Sequence, residues 1–146
     1  MSEVFRRALS FNQDLSNWDM SSVTSMRYMF SRARAFNQDI GNWDVGSVTT
    51  MEFMFWDAWT FNKDVSNWDV ASVTNMGGTF GYAKAFNQDI STWNVSSSMA
   101  TMTSMFAAAY AFNQNLCAWA SAFQTLTLVL GCLMQLMLVN QQAIQT

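Results

Sequence analysis

Histidine and proline are absent from the 146 residues, and only two cysteines occur. Without histidine the chain lacks the commonest general base and metal ligand, the side chain that ordinarily titrates near neutrality. No serine–histidine–aspartate set, cysteine–histidine pair or phosphate loop is present, and two thiols without histidine are too few for zinc. Charge is also sparse. Only 12% of residues are charged and the net charge is −3, which excludes the basic stripe of a nucleic-acid reader. No apolar run follows Met1 that would serve as a secretion signal. The strongly apolar stretch Leu126 to Val139 contains Gly131 and Gln135 and is shorter than the ~20 residues that span a membrane.

What is present is a repeat. Phe11, Phe36, Phe61 and Phe86 each open the phrase Phe-Asn-(Gln/Lys)-Asp-apolar, 25 residues apart, and Phe112 opens a variant displaced by one. A fixed period of this length denotes units that bury their apolar faces by stacking on their neighbours. Leu15, Trp18, Met20 and Val23 are spaced i, i+3, i+5, i+8, as are Ile40, Trp43, Val45, Val48 and Val65, Trp68, Val70, Val73. That is the frame of a leucine-rich repeat, with a short strand through its middle. Met26, Met29, Phe30 and Ala33 then follow i, i+3, i+4, i+7, one face of a short helix, with Thr24 or Ser25 as its cap. Met51, Met54, Phe55, Ala58 and Met102, Met105, Phe106, Ala109 repeat that spacing.

The fold expected is therefore an α/β repeat solenoid, LRR-like, with short parallel strands and one short helix per 25-residue repeat. Residues 1–119 form it: a part-repeat 1–10, full repeats starting at 11, 36, 61 and 86, and a degenerate repeat from 112. Residues 120–146 are a divergent apolar C-terminal cap or tail, and Leu126 to Val139 reads either as a cap or as a degenerate membrane anchor. Two glycines in the third unit, Gly77 and Gly78, each cost a helix about 1 kcal/mol and predict its weakest helix there. The fourth unit carries one extra residue within Ser96 to Ser98. Met1, Phe5 and Ala8 fall on the positions of Met26, Phe30 and Ala33, so the chain opens in mid-repeat and reads as a fragment. Phe5 and Ala8 left uncovered there would favour end-to-end self-association.

The unit Phe-Asn-Gln-Asp-(Leu/Ile)-Ser-x-Trp-Asp-Val-x-Ser-Val-Thr-x-Met-x-x-Met-Phe-x-x-Ala resembles the BspA-like leucine-rich-repeat surface proteins, including the mycoplasma lipoprotein-type repeat. The resemblance spans Met1 to about Trp119. Asn115 to Trp119, with Gly131 and Cys132 later, also looks like the closing unit of protist members. This resemblance implies an extracellular or cell-surface protein that binds a protein or surface partner, with no enzyme activity and no cofactor.

Seven of the ten acidic residues lie at two repeated positions. Asp14, Asp39, Asp64 and Asp89, beside Asn12, Asn37, Asn62, Asn87 and Asn113, suggest either calcium ligands or side chains that bond the turn backbone; the turn role is favoured and no metal site is expected. Asn17, Asp19, Asn42, Asp44, Asn67, Asp69, Thr92 and Asn94 form the polar row that would face a partner. Stacked like charges there lower stability, which a cationic partner would offset; the competing reading is a row that fixes a turn or keeps the edge soluble. Trp18, Trp43, Trp68, Trp93 and Trp119 belong to the core by their place in the frame. Trp56 and Trp59 occur only in the second unit and are read as interface anchors or as cover for a corner.

Arg6, Arg7, Arg27, Arg32 and Arg34 make the helical side basic, read as a solvated face. Cys117 and Cys132 would close a terminal disulfide worth about 3 kcal/mol in an oxidising compartment and stay reduced in a cytosolic one. A sugar-cleaving carboxylate pair needs opposing walls, and ladders on one face do not supply them. Nucleic-acid and membrane partners are not expected.

Overall fold

The structure, a computed structural model, describes residues 1–95 and 101–122. The expected strand and helix in each repeat are absent from it. Among the described residues the helical content is one 3-10 helix, Cys117–Ala122. Extended pairing is limited to single parallel bridges, Ser25 with Thr50, Thr50 with Asn75 and Asn75 with Thr101. The α/β solenoid is thus overturned. The repeats stack as coils made of consecutive turns.

The reason lies in the periodicity. In a four-residue turn the carbonyl of the first residue accepts the amide of the fourth, so corner residues recur three apart. Trp18 bonds to Leu15, Val23 to Met20, Met29 to Met26, Ala33 to Phe30 and Phe36 to Ala33, each at 2.9–3.1 Å. All of these residues but Phe36 are the apolar positions read as strand and helix. Tyr28 and Arg32, the third residues of turns 26–29 and 30–33, have φ of +56° and +63°. A left-handed residue at this place makes a type II turn and ends any α-helix. Phe53, Asp57, Gly78 and Tyr82 repeat the feature in the next two coils.

A non-glycine residue in this region costs about 1–2 kcal/mol. The compensation is visible in the amides. Met26, Tyr28, Phe30 and Arg32 donate to the carbonyls of Thr50, Glu52, Met54 and Trp56 in the following coil, at 2.7–3.0 Å. Met51, Phe53, Phe55 and Asp57 do the same to Asn75, Gly77, Thr79 and Gly81. A helix would send these amides four residues back along its own chain; here they join coils. The expected cap survives without its helix, because Ser25 Oγ still accepts the Arg27 amide at 3.4 Å.

Gly77 and Gly78 therefore weaken no helix. Gly78 has φ of +63°, which glycine adopts without the steric cost borne by Tyr28 and Phe53 in the same role.

The core is a set of aromatic columns. Phe11, Phe36, Phe61, Phe86 and Phe112 stack at 5.9–6.0 Å between ring centroids. Phe5, Phe30, Phe55, Phe80 and Phe106 form a second column at 5.4–5.9 Å. The two columns touch within each coil at 3.9–4.0 Å. Trp43, Trp68, Trp93 and Trp119 make a third column at 6.3–6.5 Å, and each Nε1–H donates to the carbonyl of Leu15, Ile40, Val65 or Ile90. Met26, Met29, Met51 and Met54 are fully buried beside them. The register holds past the one-residue insertion, which lies at 96–98 outside the described residues, since Asn75 pairs with Thr101. Cys132 and the stretch Leu126 to Val139 also lie outside them, so the disulfide and the cap or anchor do as well. Among the described residues no helix is long and apolar enough to cross a membrane.

Candidate functional site

Turns 15–18 and 20–23 turn Leu15, Met20 and Val23 into the core and leave Asn17 and Asp19 outside. Repetition builds the polar row: Asn17, Asp19, Asn42, Asp44, Asn67, Asp69, Thr92 and Asn94 are all exposed. Five of its members are tied down. Asp19 Oδ1 accepts the Ser21 amide at 3.0 Å and the Ser21 hydroxyl at 2.7 Å. Asp44 and Asp69 accept the amides of Gly46 and Ala71, both at 3.1 Å. Asn42 Nδ2 and Thr92 Oγ1 donate to the carbonyls of Ser16 and Ser66 in the preceding coil, at 3.0 and 2.9 Å. Fixed side chains lose less entropy when a partner arrives.

A second acidic row runs beside it. Asp14, Asp39, Asp64 and Asp89 accept the amides of Ser16, Gly41, Ser66 and Ser91 at 2.8–3.1 Å. This is the turn-holding role, in which a carboxylate replaces a backbone acceptor. The Ser16 amide and then its hydroxyl hold Asp14 below 3.8, and Ser91 does the same for Asp89. Asp64 is lowered chiefly by the Ser66 amide and then by its hydroxyl, partly opposed by burial and, less, by the charge of Asp89. For Asp19 the Ser21 hydroxyl is the larger cause and the amide the smaller. Between the rows lies an open groove of about 420 Å³ lined by Ser16, Asp39, Gly41, Asn42, Asp64 and Asn67. Among the described residues no three His, Cys, Asp or Glu side chains converge as a metal site would require.

The neighbouring asparagines are occupied in joining coils. Oδ1 of Asn12, Asn37, Asn62 and Asn87 accepts the amide of Asn37, Asn62, Asn87 and Asn113 at 2.8–3.0 Å. Gln38, Gln88 and Gln114 extend this ladder by donating to the carbonyls of Asn12, Asn62 and Asn87. The tryptophan column is likewise internal, with Trp43, Trp68, Trp93 and Trp119 buried; Trp18 alone is 36% exposed.

Trp56 and Trp59 lie apart from the polar row, across a core that runs through the Phe30–Trp43 and Phe55–Trp68 contacts. Both are half-buried. Trp56 packs edge-on against Phe53 and Tyr82, and a Cβ on Gly81 would run into its ring. Trp59 is clamped between Arg34 and Lys84, 3.9 and 4.0 Å from its ring centre, and its Nε1–H bonds to Asp57. The sequence reading missed the surrounding set: Tyr28 stacked on Phe53 at 5.1 Å, with Arg6 and Arg27 over the Tyr28 ring. The 25-residue register, in which Phe53 follows Tyr28 and Lys84 follows Trp59 and Arg34, is the signal that points to it.

Similarity to known families agrees with the repeat. The family described as "Mycoplasma protein of unknown function, DUF285" matches residues 1–80 and again 40–142. The chain belongs to DUF285. The two DUF285 matches overlap over 40–80, as one family pattern does when laid twice on a repeating chain. No curated protein and no solved structure matches the chain. The DUF285 description assigns no activity.

Proposed function

We propose that this chain is a non-enzymatic binding module of a cell-surface or secreted protein, which presents its repeated polar row to a protein or cell-surface partner in adhesion. One observation carries the reading: eight polar side chains at two repeated positions are exposed together, and their aspartates are pinned by their own turns. The row presents Asp19, Asp44 and Asp69 in register and suits a cationic patch on the partner. Membership of DUF285 and the resemblance to BspA-like surface repeats support the setting.

The test is the triple substitution Asp19→Asn, Asp44→Asn, Asp69→Asn. Asparagine keeps an Oδ1 acceptor for each turn amide and removes only the charge. Lost adhesion with an unchanged unfolding midpoint supports the binding role. Unchanged adhesion with raised stability would instead make the chain a spacer whose repeats set length.

A further inference from the structure

The charges of the chain are sorted around its circumference. Six of the seven cationic residues, Arg6, Arg7, Arg27, Arg32, Arg34 and Lys84, lie on the arc of turns that follows the bridges. That arc holds only Glu3, Glu52 and Asp57 as acids and so carries +3, while the rest of the chain, with seven aspartates and Lys63, carries −6. Most of the arc's cations are engaged. Arg6 pairs with Glu3, Arg27 with Glu52 and Arg34 with Asp57. Arg7 and Arg32 stand apart: they hold the same place in consecutive coils, both are exposed, and among the described residues neither joins an ion pair or lies over a ring. Their backbones are fixed, since the Arg7 and Arg32 amides both bond to the next coil at 2.7 Å.

Beside them the surface is aromatic, through Tyr28, Phe53, Trp56 and Tyr82, the last 42% exposed. A sugar would need an open ring face to stack on. The Tyr28 ring is covered by Phe53 and by two guanidinium groups, Trp59 lies against Arg34 and Lys84, and Trp56 packs against Phe53 and Tyr82 with Gly81 close to its ring. What remains is a pair of unmatched guanidinium groups next to apolar ring edges. We infer that this arc is a second interaction surface, opposite the polar row, and that it binds an acidic peptide segment with carboxylates on Arg7 and Arg32 and an apolar side chain against Trp56 and Tyr82. Arginine fits this role because its planar fork takes a carboxylate through two hydrogen bonds.

The experiment titrates the intact chain with a fluorescent glutamate-rich peptide containing one leucine, read by anisotropy at low and at physiological salt. Arg7→Asn with Arg32→Asn removes both charges, and asparagine tolerates the left-handed backbone at these positions. The expected result is salt-sensitive binding that weakens about tenfold or more in this double variant. It should be unchanged in the Asp19→Asn, Asp44→Asn, Asp69→Asn protein. Undiminished binding by the double variant, or no peptide binding by the parent chain, overturns the inference. So does tighter binding of a sulfated oligosaccharide than of the peptide. Self-association of the free chain that the double variant abolishes would assign the arc to a second copy and overturn it too.

Discussion

A single side chain here serves two coils at once, and Trp43 shows it most clearly. Its ring stacks on Trp68 while its Nε1–H satisfies the carbonyl of Leu15 in the coil before, at 3.0 Å. Trp43→Ala should lower stability by about 3–5 kcal/mol through lost burial and a residual cavity. Trp43→Phe keeps a ring but removes one of the two hydrogen bonds to that carbonyl, which retains the Trp18 amide, and should cost about 0.5–1.5 kcal/mol for the bond. Denaturant midpoints of the two variants check both, and a Trp43→Phe midpoint equal to the parent's would remove the hydrogen bond from the account. At this scale the sequence was legible. Trp43, Trp68, Trp93, Trp119, Met26, Met29, Phe30, Met51, Met54 and Phe55 were assigned to the core from spacing alone, because burial depends on which residues recur inward. Trp18, assigned with them, is 36% exposed, and the buried column of Phe36, Phe61 and Phe86 was read as part of a turn. The turn role of Asp14 and its copies was legible for the same reason: aspartate two residues before a free amide has one strong local use.

The elements between those residues were not legible. A helix face and a run of turns both return an apolar residue every three or four positions, so periodicity could not separate them. What decided the matter was the left-handed backbone at Tyr28, Arg32 and Phe53, residue types that ordinarily avoid it, and at Asp57. Only the following coil, by accepting their amides, makes that conformation favourable. Gly78 offers a test of opposite sign. In a helix, Gly78→Ala would stabilise by about 1 kcal/mol. In this turn the new methyl meets the Phe53 ring and is strained at φ of +63°, so a loss of about 2–4 kcal/mol is expected from the two effects together. Asn37→Ala removes the acceptor for the half-buried Asn62 amide and should cost about 1–2 kcal/mol, whereas Asn37→Asp keeps an acceptor and should cost less. Thermal or denaturant unfolding of these variants reads out both positions.

For the whole molecule, the far-UV circular dichroism of the stacked turns should lack strong helical minima. A pronounced helical spectrum from residues 1–122 would restore the strand-and-helix repeat. Stability should also depend on acid in a stated direction. Asp14, Asp19, Asp64 and Asp89 are held below 3.8 in the folded chain by the serine groups two residues on. Groups depressed on folding stabilise above their unfolded pKa, and that contribution is lost as the pH falls through their folded values. The unfolding midpoint should therefore decline as the pH is lowered from about 5 to about 2, and less steeply once the four are asparagine. The partner surfaces were only half legible: the polar row followed from the repeat, but the sorting of cations onto the opposite arc depends on how the coil closes. The asparagine ladder carries a further consequence. Since Asn12 meets Asn37 just as Asn37 meets Asn62, excising residues 36–60 in one piece would rejoin Asn12 to Asn62 in the same bond. Gene-level gain or loss of whole 25-residue modules should thus be tolerated, while removal of a dozen residues would leave every ladder mismatched. The molecule is built to vary in length by whole steps.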